Sequence, residues 1–295
     1  MSRATRRRDN VFSSFFLAPS FIIYTAFVIF TIGMAVYYTG TNWKGVGPKT
    51  WTWFRNYLLL AKEADYWVVT KNSFILVALA ILIQNPLGLL LAYLISRIKS
   101  GYRFFRAAIF LPVVIPLAST GLLFTLFLSG DTGAFNFLLK SVGLGGLQRI
   151  WLSDPRYAIF AVALPQVWQY LGIHFIIYLA AIQSIPGEIM ESAHIDGASS
   201  WKVMTRIIIP LLFDVLLIGV ILNVTGSLKA FDMSWIMTWG GPGISSAYIS
   251  VLMYRYAIKG FDFAYGTTVA MTILIYSLVF TVVFRRVFSK SPTDD

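Results

Sequence analysis

The stretch Glu191-Ser192-Ala193-His194-Ile195-Asp196-Gly197-Ala198, followed by Ile207-Ile208-Ile209-Pro210, is a polar block set between two apolar runs. Each run is long enough to cross a bilayer. The block carries helix signals of its own. Pro186 suits a first helical turn, and Glu188 and Glu191 place negative charge near the positive end of the helix dipole. Gly197 is a natural helix stop. A helix of about three turns, roughly 16 Å long, is expected over Pro186–Asp196. Ser199 or Ser200 can cap a second helix that leads into the next apolar run. The pair is too short to span and too well capped for a loose linker. It can transmit a rigid-body push; an inert amphipathic loop is the alternative.

The surrounding composition sets the solvent. Of 295 residues, 57% are hydrophobic and only 13% charged, and the mean hydropathy is +0.71. Soluble domains carry about a quarter charged residues, so a chain this apolar belongs in lipid. Six stretches reach the roughly 20 apolar residues a helical crossing needs: 12–38, 74–95, 107–128, 157–182, 207–228 and 264–284. They are continuous rather than alternating, which predicts helices and excludes a barrel. The expected fold class is an all-α polytopic membrane protein, one transmembrane domain over 1–295 with no soluble appendage. The Arg3–Arg8 cluster before the first run resembles a signal peptide. The run is too long for a cleaved core, so it reads as a retained first span.

With both termini in the cytoplasm, the inside segments hold 13 Lys and Arg in 55 positions and the outside segments 11 in 95. That bias supports the orientation and puts the 184–206 loop in the cytoplasm. The net charge of +11 lies mostly at the ends of apolar runs, where it suits lipid headgroups rather than nucleic acid. The outer loops carry Trp43, Trp51, Trp53, Phe54, Trp151, Trp235 and Trp239. They read either as an interfacial aromatic belt or as a docking platform for an external partner.

Polar residues recur inside the spans. Gln166, Gln169 or Tyr170, and His174 fall at spacings of three to four, roughly one helical face, with Trp168 among them. Asn223, Thr225 and Ser227 follow in the fifth span, with Lys229 and Asp232 just beyond. Such groups either bond helix to helix or line a path for a polar solute. Amides and hydroxyls match sugar hydroxyls, and Trp or Tyr rings stack on pyranose faces. No intramembrane carboxylate cluster of the kind an ion pathway needs is present. Pro86, Pro112, Pro116 and Pro165 interrupt the spans, as shape alone or as hinges.

The pattern Glu191-x-Ala193-x-x-Asp196-Gly197-Ala198, then Ile207-x-x-Pro210, resembles the EAA loop of ABC importer permeases. Ser192 stands for the usual second alanine and Ile209 for a leucine. Ser184-Ile185-Pro186, Met237-Thr238-Trp239-Gly240-Gly241-Pro242, Leu17-Ala18-Pro19, Asn56-Tyr57, Leu111-Pro112 and Trp151-Leu152 look like carbohydrate-uptake permeases of the maltose and glycerol-3-phosphate type. The short tail fits the first permease of such a pair.

The resemblance implies a type I importer transmembrane domain in a bacterial or archaeal cytoplasmic membrane, working by alternating access. It implies a second homologous permease, two ATPase subunits beneath and an extracytoplasmic solute-binding protein above. The expected ATPase-coupling residues are Glu188, Glu191, Ala193, Asp196, Gly197, Ala198, Ile207 and Pro210. The expected solute path takes Gln166, Trp168, Gln169, Tyr170, His174, Asn223 and Ser227. The sequence has no G-x-x-x-x-G-K-[ST], so ATP and Mg belong on the partner ATPase and no cofactor is expected here. Two histidines and no cysteine argue against a metal site. Lys229 and Arg255 keep a phosphorylated or polyol-type solute open. A membrane enzyme, stand-alone channel or secondary carrier is the remaining alternative.

Overall fold

The computed structural model describes residues 17–98, 100–130 and 132–288. Residues 12–16 of the first expected span, the Arg3–Arg8 cluster and the tail from 289 lie outside the described residues. The described chain is helical, with one isolated β-bridge between Thr41 and Trp51. It divides into two compact units, residues 17–62 with 253–271, and residues 63–252 with 272–288.

The first unit opens with α1, Leu17–Thr39. No part of its most apolar window is buried within the chain, as expected of a helix whose solvent is lipid. The Thr41–Trp51 bridge closes a loop against its end, and the Trp51 ring lies so near Gly40 that a Cβ there would sit 2.9 Å from it. Asn56, on α2 (Arg55–Lys62), donates from Nδ2 to the carbonyls of Thr39 (2.8 Å) and Thr41 (2.7 Å). Lys49 Nζ lies 4.8 Å from the Tyr38 ring centre and 4.9 Å from that of Trp43.

The second unit is built around α7, Ala158–Gln183. On one side runs α3, Ala64–Ser96, with a π-helical turn at Ala80–Gln84 just before Pro86. On the other lies α4, Tyr102–Val114, continued by α5, Leu117–Phe127. Glycines set the spacing. A Cβ at Gly88 of α3 would come within 3.0 Å of His174 Cβ, and one at Gly172 within 2.8 Å of the Ile109 carbonyl. Small residues let membrane helices approach backbone to backbone. Helix α6 (Ala134–Ser141) covers the loop before α7. After α7 come α8 (Gly187–Ile195), α9 (Ser200–Leu211) and α10 (Phe213–Leu228), then the short helices α11 (Asp232–Thr238) and α12 (Ile249–Tyr254), and finally α13 (Phe263–Phe288).

Among the described residues four helices, α1, α3, α7 and α13, are long and apolar enough to cross a membrane, and the count reaches six if each of two bent pairs is one span. Those bends fall inside the spans expected over 107–128 and 207–228, the first of them at the prolines read as possible hinges. The α4–α5 pair turns by 92°. Pro116 disfavours helical backbone at the residue before it, and Ile115 is extended (φ −69°, ψ 131°). The α9–α10 pair turns by 75° at Leu212 (φ −96°, ψ 10°), two residues after Pro210. The second expected span, 74–95, is the C-terminal part of the longer α3.

Candidate functional site

Pro86 removes a backbone donor, and the π turn before it loosens α3 where Gln84 and Asn85 stand. Side chains satisfy the disturbed backbone. Gln84 Nε2 donates to the Val167 carbonyl at 2.8 Å. Asn223 Nδ2 donates to the Ala80 carbonyl (3.2 Å) and to Asn85 Oδ1 (3.1 Å), which also receives the Tyr178 hydroxyl (2.7 Å). The His174 ring nitrogens face the carbonyls of Tyr170 (3.4 Å) and Gly219 (3.3 Å). Three helices, α3, α7 and α10, are thereby joined by one buried polar network.

Above that network opens a cavity of about 360 Å³. Gln166, Tyr170 and His174 line it from α7, Asn223 and Ser227 from α10, and Lys229 and Asp232 from the turn beyond. Gln166 Oε1 is buried without a hydrogen-bond partner, an acceptor a solute hydroxyl can meet. Of the residues expected on the solute path, Trp168 and Gln169 lie elsewhere. At 100° per residue, position 168 stands far round the helix from 166, and 169 stands to one side. Trp168 meets Phe124 edge-on (5.5 Å) in an apolar groove on the outer face of α7. Gln169, 1% exposed, donates from Nε2 to the Ile115 carbonyl (2.7 Å) and so pins the α4–α5 bend.

The polar block forms the second element. Gly197 takes a left-handed φ of +68°, and the Ala198 N–H donates to the Ala193 carbonyl at 3.0 Å, the long bond of a Schellman stop. Ser199 caps α9, accepting the Lys202 N–H. Ala193, Val203, Ile208 and Leu212 bury one face against Tyr93, Phe175, Tyr178 and Ile182 of α3 and α7; Ile207 and Ile209 are partly buried in the same cluster, and Pro210 lies partly buried beside them. Arg97 donates to the Ser200 hydroxyl (2.5 Å) and the Tyr93 hydroxyl (3.0 Å), and Tyr93 donates to the Ser200 carbonyl (3.2 Å). Glu188, Glu191, Asp196 and Gly197 point away, and Ile195 is 86% exposed. The block is a capped helix clamped at one side and bare at the other.

Residues 84–289 match the family model of the binding-protein-dependent transport system inner membrane component. The chain belongs to that family. A probable ABC transporter permease protein of Pyrococcus horikoshii is 34% identical over 93% of this permease and 94% of its own length. A trehalose/maltose transport system permease protein of Thermococcus litoralis is 29% identical over 82% and 81%. The fold is shared with a chain in the crystal structure of a bacterial alginate ABC transporter bound to an alginate pentasaccharide-bound periplasmic protein. That match has a TM-score of 0.80 at 24% identity and covers 95% of this permease and 94% of that chain.

Several residues of the permease site were not singled out from sequence. Gln84 and Asn85 are an adjacent polar pair inside an apolar run directly before a proline, which is a readable sign of a satisfied break. Tyr93 and Arg97, one helical turn apart at the end of α3, carried no motif. Asn72 gives one amide to three carbonyls, those of Ile244 (3.3 Å), Ser245 (2.9 Å) and Ala247 (3.0 Å), and so ties the segment before α12 to α3.

Proposed function

We propose that this permease is one of two membrane-spanning subunits of an ATP-driven, binding-protein-dependent importer of a sugar or oligosaccharide. The observation that carries the solute class is the cavity wall: amide, imidazole and hydroxyl groups from α7 and α10, with the buried Gln166 oxygen lacking a hydrogen-bond partner. Such a wall pairs with the hydroxyls of a neutral solute. The trehalose/maltose relative agrees with that class. Lys229 and Asp232 carry opposite charges at the same cavity, which favours a neutral solute over a phosphorylated one.

In this reading the chain makes six crossings with both termini in the cytoplasm of a bacterial or archaeal inner membrane, and the bent pairs count as crossings. A homologous permease completes the pathway. Two ATPase subunits hold the ATP and Mg, and an external binding protein delivers the solute. The exposed face of α8 docks on an ATPase subunit. The buried face, through the Arg97–Tyr93–Ser200 clamp, carries that subunit's movement into α3 and α7, whose polar network lines the cavity. Alternating access follows from re-aiming the helices on either side of it.

Uptake into proteoliposomes holding both permeases, the ATPase and the binding protein tests the reading. Labelled trehalose enters only with internal-side ATP, unlabelled neutral disaccharide competes, and glucose 6-phosphate does not. Gln166→Leu, which removes the unpaired acceptor, lowers uptake by about 5- to 150-fold, the cost of about 1–3 kcal/mol for leaving a buried solute hydroxyl without a partner. Competition by the phosphate alone, or ATP-independent uptake by this chain by itself, contradicts the proposal.

A further inference from the structure

We infer that the permease holds an anionic phospholipid, with the headgroup in a basic hollow beside α6 and one chain in the apolar groove behind α7. The inference does not depend on the solute. It gives a place to Trp168, which the solute cavity does not use.

The groove has a volume of about 490 Å³. Its floor is α7: Tyr157, just before the helix, then Phe160, Leu164, Trp168 and Leu171 line it at steps of three and four, one helical face. Leu87 of α3 stands on one side and Phe124 of α5 on the other. No described charged or amide side chain lines it, and Leu164, midway along, is 50% exposed. From Tyr157 to Leu171 the helix rises about 21 Å. That length takes a chain to the midplane of a hydrocarbon core roughly 30 Å thick. At 100° per residue, Leu164 and Trp168 each stand about 200° round the helix from Gln166. The groove therefore lies on the side of α7 remote from the solute path that a second permease completes.

At the Tyr157 end the groove meets a second hollow, of about 590 Å³. Two short stretches divide them. On α6, Phe135 lines the groove while Ala134 and Asn136 line the hollow; further along, Trp151 lines the groove while Arg149 and Ile150 line the hollow. The divide is firmly held. Asn136 Nδ2 donates to the carbonyls of Gly130 (2.6 Å) and Arg149 (2.9 Å), and its Oδ1 accepts the Trp151 indole N–H (2.8 Å). The Phe135 and Trp151 rings pack with centres 5.3 Å apart. The hollow itself is basic. Lys140 and Arg149 line it with Thr132 and Gln148, and no described residue lining it is acidic. Arg149 Nη1 donates to the carbonyls of Gly146 (3.0 Å) and Gln148 (2.6 Å), which fixes the guanidinium and leaves Nε and Nη2 to an anion.

The two chemistries together select the occupant. A lipid phosphate carries the charge that lysine and arginine take, and its glycerol joins that charge directly to a chain of leaflet length. A helix of a partner protein would fill the groove and leave the two cations of the hollow without an anion. A soluble phosphate ester would fill the hollow and leave the groove without a chain. Because Phe124 and Trp168 meet across the groove, a chain there touches both α5 and α7.

The test uses the complete importer, stripped of lipid in detergent and titrated with phosphatidylglycerol, phosphatidylcholine and glycerol 3-phosphate, with bound molecules counted by native mass spectrometry. Phosphatidylglycerol binds more tightly than phosphatidylcholine, and glycerol 3-phosphate does not displace it. Lys140→Gln and Arg149→Gln each weaken phosphatidylglycerol about fivefold, the worth of one cation near the membrane surface, and leave phosphatidylcholine unchanged. Both side chains are exposed, so neither change threatens the fold. Lys44→Gln, an exposed cation elsewhere, binds like the parent. Leu164→Trp, which fills the groove, weakens both lipids. Equal binding of the two lipids by the parent, or phosphatidylglycerol binding that neither glutamine variant moves, would overturn the site. Displacement by glycerol 3-phosphate would give the hollow to a soluble phosphate ester and overturn it too. So would glutamine variants that keep phosphatidylglycerol but lose the external binding protein, which would make the hollow a protein contact.

Discussion

Replacing Gly197 by aspartate leaves the permease in the membrane and takes ATP-driven uptake to background. The residue closes α8 with φ +68°, a conformation that costs an L-residue about 1–2 kcal/mol. A Cβ there meets nothing within 4 Å, so the substitution neither clashes nor blocks insertion. Its consequence is local: the helix end shifts and a fourth negative charge joins Glu188, Glu191 and Asp196 on the bare face. Glu191→Lys reverses charge on that same face and has the same outcome. Asparagine at 197 separates the causes, because it tolerates left-handed backbone and adds no charge; Gly197→Asn retains most of the uptake if charge dominates. Immunodetection in the membrane fraction beside uptake is the measurement. Normal uptake in both Gly197→Asp and Glu191→Lys would contradict the assigned role.

The second large effect is on the fold. Gly172→Val destabilises the permease by about 1–3 kcal/mol or more, read as a lowered unfolding temperature in detergent and a smaller monodisperse fraction. The Cβ alone would lie 2.8 Å from the Ile109 carbonyl and 3.0 Å from Phe110 Cα. Both are backbone atoms of a helix that cannot turn aside. The damage reaches the site, because Gln169, one turn before Gly172, holds the α4–α5 bend through the Ile115 carbonyl. Gly33→Ala is the matched control. It has nothing within 4 Å, and alanine is favoured over glycine in a helix by about 1 kcal/mol. Equal thermal stability in the two variants would refute the close-packing account.

Apolar length in the sequence was enough to place α7 within one residue at each end and α13 within one at its start and four at its end, expected over 157–182 and 264–284 and found at Ala158–Gln183 and Phe263–Phe288. The capping residues likewise located α8, with Pro186 before it, Gly197 after it and Ser199 opening α9. The bends were not legible, because hydropathy records the solvent of a segment and not its direction. Pro116 marked where a helix could break, and Pro210 was read only as part of the loop motif; neither gave the 92° and 75° turns that result. Helices α11 and α12 were hidden by their length of seven and six residues, too short for a periodic pattern. In the expected solute path, a spacing of three or four was read as one face. The distinction that matters is finer: Gln166, Tyr170 and His174 keep a strict step of four and share the cavity, while Gln169 turns to the neighbouring helix.

The central claim is that α8 carries force between an ATPase subunit and the helices around the cavity, and its bare tip provides the most direct test. The chain has no cysteine, so Ile195→Cys, at the exposed C-terminal end of α8, introduces a single reactive thiol. In the assembled importer, a short thiol-to-amine reagent is expected to join that residue to an ATPase subunit, and the subunit is expected to shield it from soluble maleimide. A thiol that reacts with maleimide as fast in the complete importer as in the isolated permease, with no cross-link to the ATPase, would contradict the account.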